Sequence, residues 1–178
     1  LLLRSMSKAR YSRENKGHYG LAFENYTHFT SPIRRYPDLI VHRFLRKYVF
    51  INDRFYNEKT IERLDEIAKQ SSDTEKQAMN AEREVLDIKK AEYMENHINE
   101  EYQGVISSVL KFGMFIELPN TIEGLVHISS FKEQMQYDEV NMQLKSTESD
   151  KIYQIGQVVT IKVAKVNRLL GRIDFVLV

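Results

Sequence analysis

Gly104-Val105-Ile106-Ser107-Ser108-Val109-Leu110-Lys111-Phe112-Gly113-Met114-Phe115-Ile116-Glu117-Leu118 joins two apolar runs across a short turn. Valine, isoleucine and phenylalanine dominate both runs, and these side chains suit a pleated, half-buried surface. The pattern predicts strands over residues 102–110 and 112–118 and a third over 122–127, punctuated by Gly113 and Pro119-Asn120. Downstream, Ile128-Ser129-Ser130 reads as a helical turn, and residues 137–142 and 151–153 as short polar pieces able to pair as a ribbon. Two further strong strands fall over 158–166 and 172–178. Five main strands with a helical turn after the third predict a small closed antiparallel barrel of the OB type.

Upstream of Glu100 the grammar is helical, so the expected class is α+β, with a helical region over 1–99 and a barrel over 100–178. Residues 1–10 have helical composition. Residues 11–26 read as an ordered loop in which Gly17-His18-Tyr19-Gly20 is either a plain turn or a weak Gly-x-x-Gly loop. A helix is expected over 37–50, with Leu39, Ile40, Phe44 and Leu45 or Val49 inward and His42, Arg43, Arg46 and Lys47 as a basic flank. Asn57 is expected to cap a second helix carrying Ile61, Leu64, Ile67 and Ala68 on its inner face. Ser72-Asp73-Thr74-Glu75 has the spacing of a capping box and is expected to open a third, with Ala78, Ala81, Val85, Ile88 and Ala91 as its stripe. Glu82 borders that stripe and is either a surface ion-pair residue or inward-facing.

Composition narrows the function classes. The chain has 178 residues and a net charge of +1, so any nucleic-acid binding must come from local patches. It has no cysteine, which excludes disulfides and thiolate metal sites and fits a reducing cytoplasm. No apolar run approaches the ~20 residues of a membrane span. The opening Leu1-Leu2-Leu3 reads as the middle of an apolar helix, so the sequence is expected to be a piece of something longer.

The most informative polar stretch is His28-Phe29-Thr30-Ser31-Pro32-Ile33-Arg34-Arg35-Tyr36-Pro37-Asp38. Ser31 is a good N-cap and Pro32 a good first helical residue. Because Pro37 cannot donate a hydrogen bond, the regular helix can instead begin near Pro37, after a tight entry turn. Either way two arginines stand at the positive end of a helix, where cations are disfavoured unless an anion lies between them. A phosphate is the natural anion. The competing reading pairs Arg34 with Asp38 and leaves both arginines solvated.

These residues resemble known families. The run 104–118, with Glu123-Gly124-Leu125-Val126-His127-Ile128-Ser129, Gly156-Gln157-Val158-Val159 and Val163-Ala164-Lys165-Val166-Asn167, resembles the S1 RNA-binding domain. The resemblance places Phe112, Phe115 and His127 on an RNA-binding face and makes Lys111, Arg168 and Arg172 phosphate contacts. In a regular strand Phe112 and Phe115 would point to opposite faces, so a bulge at Gly113 is expected to expose both rings. Exposed rings on an OB face are stacking platforms worth ~1–3 kcal/mol per base. Asn167 stands where many such domains carry aspartate, and the hairpin 168–172 differs in length. Ala9-Arg10-Tyr11-Ser12, Gly17-His18-Tyr19-Gly20-Leu21-Ala22, residues 26–38, Ala81-Glu82-Arg83-Glu84 and Lys90-Ala91-Glu92-Tyr93-Met94 resemble the end of the catalytic domain of the ribonuclease II and ribonuclease R family.

That resemblance implies a processive 3′-to-5′ exoribonuclease, monomeric at full length, which uses Mg2+ to release nucleoside 5′-monophosphates from single-stranded RNA. It makes Arg34 the catalytic arginine on the scissile phosphate, Arg35 an accompanying RNA contact, and Glu82 the glutamate near the terminal nucleotide. The family's metal is held by clustered aspartates, whereas Asp38, Asp53, Asp65, Asp73 and Asp87 are scattered singly here. His18, His28, His42, His97 and His127 show no ligand spacing. The metal ligands are therefore expected outside this sequence, and the chain alone is expected to be inactive. The rival reading is a stand-alone RNA-binding or translation-associated module, which leaves residues 28–38 unexplained. A phosphorolytic RNA-degrading enzyme with an S1 tail meets the same objection.

Overall fold

The computed structural model describes residues 9–53 and 58–178, without the side chain of Glu58. The expected helix at the N-terminus and the Asn57 cap fall outside or largely outside these residues. The chain divides into two compact units, Leu1–Asn80 and Ala81–Val178.

In the first unit, α1 spans Tyr36–Phe44 with Arg35 at its N-cap and a proline in its first turn. The helix therefore starts at Pro37's neighbour rather than at Pro32, and residues 31–35 form the entry turn. It continues as a π-helical segment, Leu45–Phe50, in which the Ile51 amide reaches back to the Arg46 carbonyl at 3.0 Å. The widened turn rotates Val49 outward, so Val49 is exposed rather than part of the inner stripe. Gly17-His18-Tyr19-Gly20 closes as a plain turn: His18 bridges to Phe23 around a 3-10 segment, Tyr19–Leu21.

The second helix, α2, runs without a break over Glu58–Met94. The capping box expected at Ser72 is not used. Ser72 Oγ donates to the Ala68 carbonyl at 2.8 Å and Thr74 Oγ1 to the Gln70 carbonyl at 2.6 Å. The hydroxyls thus bond back into the preceding turn, which lets them sit inside a helix instead of opening one.

The second unit contains the last turns of α2 and the barrel. Its strands are β1 (Glu101–Leu110), β2 (Gly113–Glu117), β3 (Glu123–His127), β7 (Val158–Asn167) and β8 (Arg172–Leu177). They close in the order β1-β2-β3-β8-β7, with the OB connectivity expected from the sequence. Closure is made by a parallel contact, Leu125 opposite Asp174, while the other neighbours are antiparallel. Between β3 and β7 lies a separate sheet of β4 (Met135–Asp138), β5 (Gln143–Ser146) and β6 (Ile152–Gln154). The two pieces expected to pair with each other there do not: β5 lies between them and pairs with both. β5 carries a single large apolar residue, the buried Leu144, too little to register as a strand pattern.

The barrel interior is filled by Ile106, Met114, Ile116, Val126, Ile161, Val163, Ile173 and Phe175, and Ala91 and Met94 of α2 belong to the same core. Only the end of the predicted α2 stripe is buried in this way. Val85 is 57% exposed, and Ala78 and Ala81 are also exposed, because no described residues cover that part of the helix.

Candidate nucleic-acid interface

In the first unit the entry turn is organised by Asp38. Its side chain is fully buried, and Oδ2 accepts the Ser31 amide at 2.8 Å and Arg35 Nη2 at 2.9 Å. Arg35 Nη1 lies 3.1 Å from His28 Nδ1, and Tyr11 Oη lies 3.2 Å from the same nitrogen. A guanidinium has only donors, so His28 Nδ1 accepts. Burial, then the carboxylate of Glu75, pushes the Tyr11 phenol above its usual value. His28 also meets Tyr11 and Tyr26 edge to face.

The two arginines are therefore not equivalent. It is Arg35, three residues before Asp38, that forms the ion pair, not Arg34. With two of its nitrogens engaged, Arg35 is not free to flank a phosphate as a twin of Arg34. Arg34 is exposed, and among the described residues no acidic group pairs with it. Its neighbours on the basic flank are partly occupied: His42 Nε2 lies 2.9 Å from the Phe29 carbonyl, Arg43 lies over the Tyr36 ring, and Lys47 approaches Asp53 at 3.7 Å.

In the second unit the strand register sorts the expected RNA contacts into two groups. Gly113 stands opposite both Leu110 and His127, so Lys111, Phe112 and His127 share one end of the barrel. Phe112 is 46% exposed and meets the half-buried Phe115 ring edge to face at 6.2 Å. The rings share a side without the bulge expected at Gly113. Phe112 sits in the Lys111–Phe112 turn before β2 begins, and the bulge lies instead in β1, between Ile106 and Ser108. Gly113 matters differently: at φ 150° it lies in a region that favours glycine, and a Cβ there would run into the Val126 carbonyl. His127 is exposed and its Nδ1 lies 2.7 Å from Ser129 Oγ and 3.2 Å from the Ser129 amide, which fixes the ring on the turn Ile128–Ser130.

Arg168 and Arg172 lie at the other end. Arg172 precedes Asp174, the partner of Leu125, by two residues, and is therefore level with Glu123, about 13 Å along β3 from His127. Arg168 Nη2 is bonded to Glu92 of α2 at 2.8 Å, and a hydrogen bond from Lys89, opposed by partial burial and aided by Arg168's charge, holds Glu92 below its ordinary value. Lys90 Nζ donates to the Thr121 carbonyl at 2.6 Å, so the last turns of α2 cover this end. Glu82 is exposed on α2. Sequence reasoning named Asp38 only as a partner for Arg34 and missed its burial and its link through Arg35 and His28 to Tyr11; an aspartate in the first turn after a proline was the available signal.

A divalent cation finds no fit among the described residues. Asp38, nearest Arg34 in sequence, is already engaged by Ser31 and Arg35, and no group of three or more His, Asp or Glu residues is placed to hold a metal.

A closed OB barrel with exposed rings at one corner is the architecture of the nucleic-acid-binding barrels. Sequence comparison matches residues 1–51 to the RNB domain and 95–177 to the S1 RNA binding domain. Along its whole length the chain is similar to ribonuclease R proteins. Ribonuclease R 1 of Lactococcus lactis is 54% identical over 178 residues, covering 98% of this chain and 22% of that protein. Ribonuclease R of Thermotoga maritima is 46% identical over 183 residues, covering 100% of this chain and 26% of that protein. The structure matches the apo form of Mycoplasma genitalium RNase R with a TM-score of 0.92 at 32% identity, over 99% of this chain and 28% of that one. The same enzyme in complex with ribose methylated single-stranded RNA matches with a TM-score of 0.90 at 32% identity, over the same shares. The chain thus spans about a quarter of the length of these relatives.

Proposed function

We propose that this chain is part of a processive 3′-to-5′ exoribonuclease that hydrolyses single-stranded RNA to nucleoside 5′-monophosphates and works as a cytoplasmic monomer. The observation that carries the reading is the exposed Arg34 at the positive end of α1, with no acidic partner among the described residues, beside an Arg35 whose Nη1 and Nη2 are both engaged. A planar, permanently charged guanidinium there suits a phosphoryl group gaining negative charge in the transition state. Glu82 stands near the terminal nucleotide in this reading. Lys111, Phe112, Phe115 and His127 grip the upstream strand, with Arg172 at the far end of the same surface. Arg168 joins them only by leaving Glu92. Magnesium, which in such enzymes polarises the phosphate and activates water, is held by carboxylates outside the described residues. The complex of the Mycoplasma genitalium relative with ribose methylated single-stranded RNA supports RNA as the ligand.

The test is Arg34→Ala in the full-length enzyme that carries this chain. Turnover should fall about 10²–10³-fold, the cost of losing one preorganised donor, with a much smaller change in RNA affinity. A defect confined to affinity would refute the chemical role. The 178-residue chain alone, given magnesium and labelled RNA, should leave the RNA intact; shortening from the 3′ end would overturn the placement of the metal ligands.

A further inference from the structure

We infer that Asp38 is a positioning residue for Arg34: its buried carboxylate sets the geometry of the turn that presents the arginine, and Arg35 and His28 brace that carboxylate. The inference rests on the reading of Arg34 proposed above.

Ser31 is held from both sides. Its amide donates to Asp38 Oδ2 at 2.8 Å, while its carbonyl accepts the Arg34 amide at 3.3 Å and the Arg35 amide at 2.9 Å. Asp38 in turn belongs to the first turn of α1, where its own amide reaches the Arg35 carbonyl at 3.2 Å. One carboxylate oxygen therefore ties the first residue of the turn to the helix that follows, and the Arg34 backbone lies inside the closed loop. The Arg35 guanidinium lands on the same oxygen and continues through His28 to Tyr11.

Stability alone does not account for this arrangement. Asp38 Oδ1 and Arg35 Nε are buried without hydrogen-bond partners. A buried ion pair with unsatisfied atoms is often no better for stability than an apolar pair of similar volume. What it supplies is a unique geometry, and the group whose geometry it fixes is Arg34. Among the described residues the side chain of Arg34 makes no bond of its own that could do so.

The experiment is a double-mutant cycle in the full-length enzyme, read by single-turnover cleavage of a 5′-labelled oligoribonucleotide. Asp38→Asn should lower the cleavage rate at least 10-fold while the RNA concentration for half-saturation changes less than about twofold. In an Arg34→Ala background the same Asp38→Asn change should cost less than twofold, because nothing remains to be positioned. A merely structural carboxylate would give the same loss in both backgrounds, and that result, or an unchanged rate for Asp38→Asn, overturns the inference. If Asp38→Asn does not fold, Arg35→Lys carries the same cycle, since it keeps a charge on Asp38 and loses the contact to His28. If Arg34→Ala itself cleaves normally, the reading of Arg34 fails, which is distinct from failure of the positioning role.

Discussion

Replacing Phe115 with alanine probes the barrel surface most directly. The ring is half-buried on β2 and meets the Phe112 ring edge to face at 6.2 Å and 89°. Two losses follow. A stacked base loses its platform, worth ~1–3 kcal/mol. Phe112 loses an aromatic neighbour, worth ~0.5–1.5 kcal/mol in such pairs, and its exposed ring becomes free to rotate. The first loss alone weakens single-stranded RNA binding roughly 5- to 140-fold. Fluorescence anisotropy with a labelled oligoribonucleotide at fixed salt measures this, since salt alone shifts such affinities strongly. Phe112→Ala should give a similar loss, and the double variant should fall short of the sum by about the ring–ring coupling. Urea unfolding of each variant separates binding from folding. Unchanged binding by a folded Phe115→Ala protein would remove this corner from the RNA surface and leave the rings as barrel edge.

His127→Ala should weaken the same RNA by about 1 kcal/mol or more, read in the same titration, because the ring shares the Phe112 end of the barrel. Met94→Ala empties a fully buried site where α2 enters the barrel core, and should cost about 2–5 kcal/mol in urea unfolding. Glu133 bonds Lys151, Ser146 and Ser149, in that order of effect, which lowers its carboxyl to about 2. A depressed carboxylate stabilises the fold above its unfolded value and ceases to do so as pH falls through the folded one, so Glu133→Gln should flatten the loss of stability between about pH 4.5 and 2. NMR titration of the Glu133 carboxyl checks the premise.

The barrel was legible because its signals are local and redundant. β-branched runs, Gly113 and the turn after His127 each state the same topology, and the core residues alternate as a strand requires. The helices were harder. Ser72 and Thr74 carry the sequence marks of a helix start, yet a hydroxyl serves equally well bonded to a carbonyl four residues back, and only the surrounding helix decides which. Charge placement marked the entry turn at residues 31–38 as unusual, because it sets two arginines at the start of a helix. The division of labour between Arg34 and Arg35 depended on Asp38 being buried, and burial of a carboxylate is a tertiary fact with no periodic trace. The opposite ends occupied by His127 and Arg172 follow from the parallel closure of β3 on β8, which no strand pattern announces.

The turn between β7 and β8 is set against α2 without slack. Gly171, at φ 60°, lies so close to Asp87 and Ile88 that a Cβ would come within 3.0 Å of their atoms, and Arg168 is fastened to Glu92 beside it. In OB barrels the loop at this position commonly takes part in binding oligonucleotides. Here it is upholstered to a helix instead, so bulkier residues at position 171 should be read first as damage to the barrel's seat.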